Sequence, residues 1–263
     1  LNKHELNKAI DTEFDSFCFD KTINKNASET RYALSNDLDD RDKLKVIHVS
    51  TNKSSITKLL QLTNGYKVST IAPIGIAIAN VASIKPKENI IIVNIEEKTT
   101  ITTIVDKKIV DVQVIEEGAE KILSSINAKE NSYLKSYEIC KNSTIYTSDA
   151  KDLQYEENEY LDDIMPTLYN IVGAVRKITN ESLNRIDKVY ITGTASVINN
   201  IDIYFQDYLK DIKCEILKPY FINNLQAKIN VKDYIEVNSA IALALQGLGE
   251  GLKGMNFKKN TAK

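Results

Sequence analysis

Three β-branched runs, separated by two turns too short for anything but hairpins, set the strongest limit on what this chain can become. Residues 89–95 read Asn-Ile-Ile-Ile-Val-Asn-Ile, 99–105 read Thr-Thr-Ile-Thr-Thr-Ile-Val, and 109–115 read Ile-Val-Asp-Val-Gln-Val-Ile. Only Glu96-Glu97-Lys98 and Asp106-Lys107-Lys108 stand between them. Loops this short join antiparallel neighbours, because a parallel return needs a crossover of a dozen residues or more. The segment is therefore expected to form an antiparallel meander of three strands, over 90–95, 99–105 and 109–115. Gly118 then opens a helical stretch, 118–126, that covers one face of it.

Length and charge exclude several classes of function. At 263 residues the chain can bury a core of one large or two modest domains. The 34 basic and 36 acidic residues nearly balance, which gives no basic face and no expectation of a nucleic-acid partner. Cys18, Cys140 and Cys214 lie far apart, and His4 and His48 are the only histidines. No metal site is expected from them, and buried free thiols in a reduced, cytoplasmic setting are the simplest reading. No stretch approaches the ~20 apolar residues of a membrane span, and none has the make-up of a signal peptide. The chain starts at Leu1 rather than Met and is expected to be a piece of a longer polypeptide.

Periodicity places the remaining elements. Leu6, Ala9, Ile10, Glu13 and Phe17 recur at helical spacing over 3–17. Strands are expected at 30–34, 44–50 and 66–71, a helix at 52–63, and a short helix from Pro73 to 82. The charged run Asp39-Asp40-Arg41-Asp42 reads as a solvated loop. Lys85-Pro-Lys-Glu-Asn89 is the expected domain boundary, with 1–84 and 85–263 on either side and a small inserted unit around 129–155 that combines a helix and a hairpin strand. Further on, a long amphipathic helix spans 160–182, with Leu161, Ile164, Met165, Leu168, Ile171, Val172, Val175 and Ile178 on one face. A buried strand at 186–192 ends at Gly193, a helix covers 196–210, a strand 214–217, and a single Ala-rich helix 233–248.

Three stretches, in this order, resemble the PilM family of type IV pilus machines, which is related to FtsA and to the cytoplasmic part of GspL. His4-Glu-Leu-Asn-Lys-Ala-Ile-Asp-Thr-Glu13 looks like the family's E-L-x-x-A-I-x-x-E helix. Val46-Ile-His-Val-Ser50 through Tyr66-Lys-Val-Ser-Thr-Ile-Ala72 looks like its strand-helix-strand. Lys188-Val-Tyr-Ile-Thr-Gly-Thr-Ala-Ser-Val-Ile198 with Asn238-Ser-Ala-Ile-Ala-Leu-Ala-Leu-Gln-Gly247 looks like its strand-glycine turn and closing helix. The resemblance implies an α/β, actin-like (RNase H-like) two-domain fold of mixed sheets flanked by helices, with the first domain incomplete.

It also implies a nucleotide cleft, and here the residues depart from the family pattern. The turn after the first strand of each half is Asp-x-Gly-x-x-Thr or close to it in actin-like ATPases, with glycine admitting the phosphates and Asp orienting a magnesium-bound water. Asn94 takes the Asp position and Glu96 the Gly position, and a carboxylate there repels a triphosphate. Gly193 is followed by Thr194 where a second glycine is usual, and the segment expected to carry a first phosphate loop ahead of His4 is either cut away or was never present. A degenerate cleft around Asn94, Glu96, Thr99, Gly118, Gly193 and Thr194 is expected, with no catalytic residue and no cofactor. ATP with magnesium is the alternative, its carboxylate then coming from Glu96 or Glu97, which otherwise read as turn residues facing water.

The resemblance further implies a scaffold at the inner face of the cell membrane among other pilus assembly components. Its partner would be the tail of a PilN-like inner-membrane protein, docked near Leu6, Ile10, Ile74 and Ile78. Met255-Asn-Phe257 resembles the start of PilN-like segments, so a fused membrane segment beyond Lys263 is a second source for that partner. An FtsA-like filament protein is the remaining alternative.

Overall fold

A computed structural model describes residues 3–34, 45–145, 159–222 and 229–258. The expected meander is its centre. Strands β3 (Asn89–Ile95), β4 (Thr99–Val105) and β5 (Lys108–Ile115) pair antiparallel, Ile95 opposite Thr99 and Val105 opposite Lys108. The second hairpin closes on two residues, Asp106 and Lys107, both at positive φ (46° and 67°). That backbone matches the twist of the paired strands, as in the type I′ turn.

Strands β6 (Lys188–Thr192) and β7 (Lys213–Ile216) join in parallel on the other side of β3, giving a mixed sheet of order β5-β4-β3-β6-β7. Near its start the chain forms helix α1 (Lys3–Asp20) and a separate antiparallel pair, β1 (Ser28–Leu34) and β2 (Val46–Asn52). Helix α2 (Lys53–Leu62) and the short α3 (Ile74–Ala77) follow. After the meander come α4 (Ala119–Glu130), α5 (Tyr133–Asn142), α6 (Leu161–Glu181), α7 (Ile201–Leu209), α8 (Val231–Ile235) and α9 (Asn238–Leu248).

The sheet buries both faces, which explains why β3 is apolar along nearly its whole length rather than alternating. On one face Ile91, Val93, Ile95 and Ile101 meet α4, α6 and α7, and the α6 stripe expected from periodicity (Ile164, Leu168, Ile171, Val172, Val175) is fully buried there. On the other face Ile90, Ile92 and Ile104 meet Ile76, Ala77, Ile78 and Val81, together with Ala242 of α9 and Met255. Packing thus continues across the 85–89 segment. Cys140 and Cys214 sit in the first core, and burial pushes each thiol up to about 12, so neither is a nucleophile at neutral pH.

Three local expectations differ from the structure. Residues 66–71 form no strand, because the backbone N–H and C=O of Ile71 are taken by Asn256 and Phe257 instead of by a sheet neighbour. The helix expected over 233–248 is two helices, with α8 started by a capping box of Asn230 and Asp233 and the chain breaking at Val237 before α9. The stretch 196–210 likewise begins as a tight turn over 194–197 before α7. Helix α5 lies within the unit expected at 129–155, whereas its hairpin strand and the charged run 39–42 fall outside the described residues.

Candidate functional site

The cleft lies where the parallel strands β3 and β6 end side by side, with Asn94 in register with Thr192. The carboxyl ends of parallel strands are where open α/β sheets receive ligands. Four segments converge there: the 96–98 turn, the start of α4, the Gly193 turn and the start of α9.

Glycine is required at two of these junctions for different reasons. Gly193 holds φ at 97°, a region side-chain-bearing residues avoid, and a Cβ there would stand 2.7 Å from the backbone of Ile95. Gly118 is extended (φ −170°), open to any residue, yet its Cβ would meet the Glu97 carbonyl oxygen at 2.2 Å and that of Glu96 at 2.7 Å. The turn is therefore pressed onto the first turn of α4, where the Ala119 N–H donates to the Glu96 carbonyl at 2.7 Å.

Glu96 does not face water as its place in a turn led us to expect. Its carboxylate points into the cleft and accepts from the Thr194 hydroxyl at 2.6 Å and from the Ser239 hydroxyl at 2.7 Å. Buried Asn94 donates its side-chain N–H to Ser239 Oγ at 3.2 Å. One carboxylate thereby ties the meander turn to the Gly193 turn and to the start of α9, while Glu97 remains exposed. Hydrogen bonds to a charged acceptor are worth about 1.5–3 kcal/mol each, so the tie is a real constraint on the cleft.

Of the residues expected from sequence, Asn94, Glu96, Gly193 and Thr194 come together, and Gly118 abuts them. Thr99 is fully buried at the start of β4 with its hydroxyl unpaired. Ser239 and Asn238 were missed. Asn238 Nδ2 donates to Thr192 Oγ1 (2.9 Å) and to the Leu217 carbonyl (3.0 Å), which anchors α9 to the ends of β6 and β7. Their signal was the Asn-Ser pair that opens the closing helix motif. Among the described residues, no group of three His, Cys, Asp or Glu side chains is placed to hold a metal ion.

The expected partner groove divides. Leu6 and Ile10 line a cavity of about 570 Å³ between α1 and β2, with Phe14, Phe17 and His48. Ile74 lines a second one, about 640 Å³, between β2 and β5. Ile78 takes part in neither, because it is fully buried under the sheet. His48 packs on Phe14 with ring centroids 4.6 Å apart, and burial holds its imidazole below the ordinary value against a smaller opposing pull from Asp11.

The sign of that shift predicts a pH effect. The unfolded chain takes up the proton at about 6.5 and the folded chain only at lower pH, so this contact weakens as pH falls below about 6.5. The thermal midpoint is expected to fall between about pH 7 and about pH 5, and by less in His48→Phe. Equal pH slopes for the two proteins would rule out His48 as the cause.

No family model matches this sequence, and no curated protein is significantly similar to it. Solved structures are similar. The "PilM-PilN type IV pilus biogenesis complex" aligns over 94% of this chain and 74% of its own at 15% identity, with a TM-score of 0.72. MreB5 of Spiroplasma citri bound to ADP aligns over 75% of this chain and 66% of its own at 15% identity, TM-score 0.52. The ethanolamine utilization protein EutJ from Carboxydothermus hydrogenoformans aligns over 73% and 60% at 14% identity, TM-score 0.50. Among the described residues no helix is long and apolar enough to cross a membrane. The fold is actin-like, a mixed sheet flanked by helices, and its likeness to the PilM–PilN structure extends over nearly the whole chain.

Proposed function

We propose that this chain is a cytoplasmic scaffold of a type IV pilus inner-membrane assembly complex, holding a PilN-like partner and turning over no nucleotide. The observation that carries the second half is the place of Glu96. A nucleotide phosphate entering the cleft must break the hydrogen bonds from Thr194 and Ser239 or sit against the carboxylate they hold. Two like unit charges 4 Å apart repel by about 4 kcal/mol where the effective dielectric constant is about 20. That exceeds what a single new hydrogen bond returns, about 0.5–1.5 kcal/mol. The likeness to a PilM from a PilM–PilN complex supports the first half.

The partner is a PilN-like inner-membrane protein, and the α1–β2 groove is its docking place. A synthetic peptide of the cytoplasmic tail of a PilN-like protein from the same genome tests this by calorimetry. Saturable binding that Leu6→Glu and Ile10→Glu each weaken at least about tenfold, roughly 1.4 kcal/mol, is expected. Binding unchanged by both substitutions would move the partner elsewhere, and no binding at all would count against the scaffold.

A further inference from the structure

The near balance of charge over the whole chain predicts no basic face, yet cations gather at the end of the sheet opposite the cleft. Three loops meet there: 85–88 ahead of β3, the Asp106-Lys107 turn, and 182–187 between α6 and β6. Asn89 ties them into one rim. Its side-chain N–H donates to the Arg185 carbonyl (2.8 Å), its Oδ1 accepts from the Asp106 N–H (3.3 Å), and its carbonyl accepts from the Asp187 N–H (2.8 Å).

Within this rim the two signs of charge are placed differently. Each carboxylate takes a backbone N–H: Glu88 that of Lys85 (3.0 Å), Asp106 that of Lys87 (2.7 Å) and Asp187 that of Asn89 (2.9 Å). Lys85, Lys87, Lys107 and Arg185 are exposed instead, and among the described residues none of the four has an ion-pair partner. Lys87 and Lys107 also hold positive φ (63° and 67°), a backbone that glycine or asparagine adopts more readily. Lysine gains no local stability there, so its charge is the feature to explain. Leu183, two residues before Arg185, is fully exposed.

Cations around a lone apolar tip narrow the kind of partner. Nucleic acid would leave the leucine in water, and a folded protein is met by a patch of apolar side chains rather than by one. The interface of an anionic bilayer suits both features. Its headgroups favour each nearby cation by about fivefold in partition, and its acyl boundary receives an apolar side chain.

We propose that this rim is a direct contact with anionic phospholipid, with Lys85, Lys87, Lys107 and Arg185 over the headgroups and Leu183 inserted between them. Strand β3 runs from the rim at Asn89 to the cleft at Ile95, about 20 Å at roughly 3.3 Å per residue, so the cleft faces away from the membrane. The contact needs neither the α1–β2 groove nor a PilN-like tail, and it stands or falls apart from that reading.

Co-sedimentation of the full chain with phosphatidylcholine vesicles, with and without about one third phosphatidylglycerol, tests it. At millimolar lipid and low salt the chain is expected to pellet with the anionic vesicles and not with the neutral ones, and to be released at about 0.5 M salt. The double variant Lys87→Gly, Lys107→Gly relieves two positive-φ positions, so its thermal midpoint should not fall, while its partition drops at least about tenfold. Leu183→Ser changes a side chain that packs on nothing and should lower partition at least about threefold. No pelleting with anionic vesicles, or pelleting that neither variant weakens, overturns the proposal. Pelleting that the double variant loses, that Leu183→Ser leaves unchanged and that polyglutamate displaces would assign the rim to an acidic protein and overturn it too.

Discussion

Gly118→Val is expected to destabilise the fold by about 3 kcal/mol or more and to lower the thermal midpoint by about 6–12 °C. Backbone strain is not the main cause, since φ −170° and ψ −173° are extended backbone rather than the left-handed region that only glycine favours. The cause is contact: the new Cβ would lie 2.2 Å from the Glu97 carbonyl oxygen and 2.7 Å from that of Glu96. Neither carbonyl can retreat freely. The Glu96 oxygen accepts from Ala119 N–H at the start of α4, the Glu117 carbonyl accepts from Thr99 N–H beside it, and the Glu96 side chain is tied to Thr194 and Ser239. Relief by movement therefore loosens a helix start and the cleft together. A midpoint within about 2 °C of the wild type would mean that the turn and α4 are not pressed together as described.

Phe205→Ala is expected to cost about 3–5 kcal/mol without touching the cleft. Phe205 is the bulkiest of the fully buried side chains among the described residues, carried by α7 into the core shared with α6 and β6. Removing the ring takes away its transfer energy and leaves a cavity that neighbours fixed in helices and strands only partly fill. Urea unfolding should show a lower midpoint with an unchanged slope, because the surface exposed on unfolding is the same. A loss below about 1 kcal/mol would mean that α7 is not part of the cooperative core.

What the sequence revealed and what it hid follow the range of the interactions involved. The meander was legible because two turns of two or three residues leave its strands no other pairing, and α6 because its apolar stripe holds over five turns. The place of Asn94, Glu96, Gly193 and Thr194 at one cleft was legible through family resemblance. The inward turn of Glu96 was not, since the hydroxyls that hold it come from Thr194 and Ser239, 98 and 143 positions away. Distance along the chain hid residues 66–71 in the same way: their composition suits a strand, but their partner is a single segment at 256–257. Ile78 was expected beside the partner's docking place, and it is buried because both the sheet and α9 close over it. The break at Val237 went unseen because the Ala-rich run on its far side is a strong helix former.

The central claim is that the actin-like cleft is kept as architecture and closed to nucleotide by Glu96. Calorimetric titration of ATP with magnesium into the chain tests it most directly. The account predicts no binding heat at millimolar nucleotide. Saturable binding at micromolar concentration would contradict it, showing that the Glu96 carboxylate swings clear of Thr194 and Ser239 and that the cleft is a working nucleotide site.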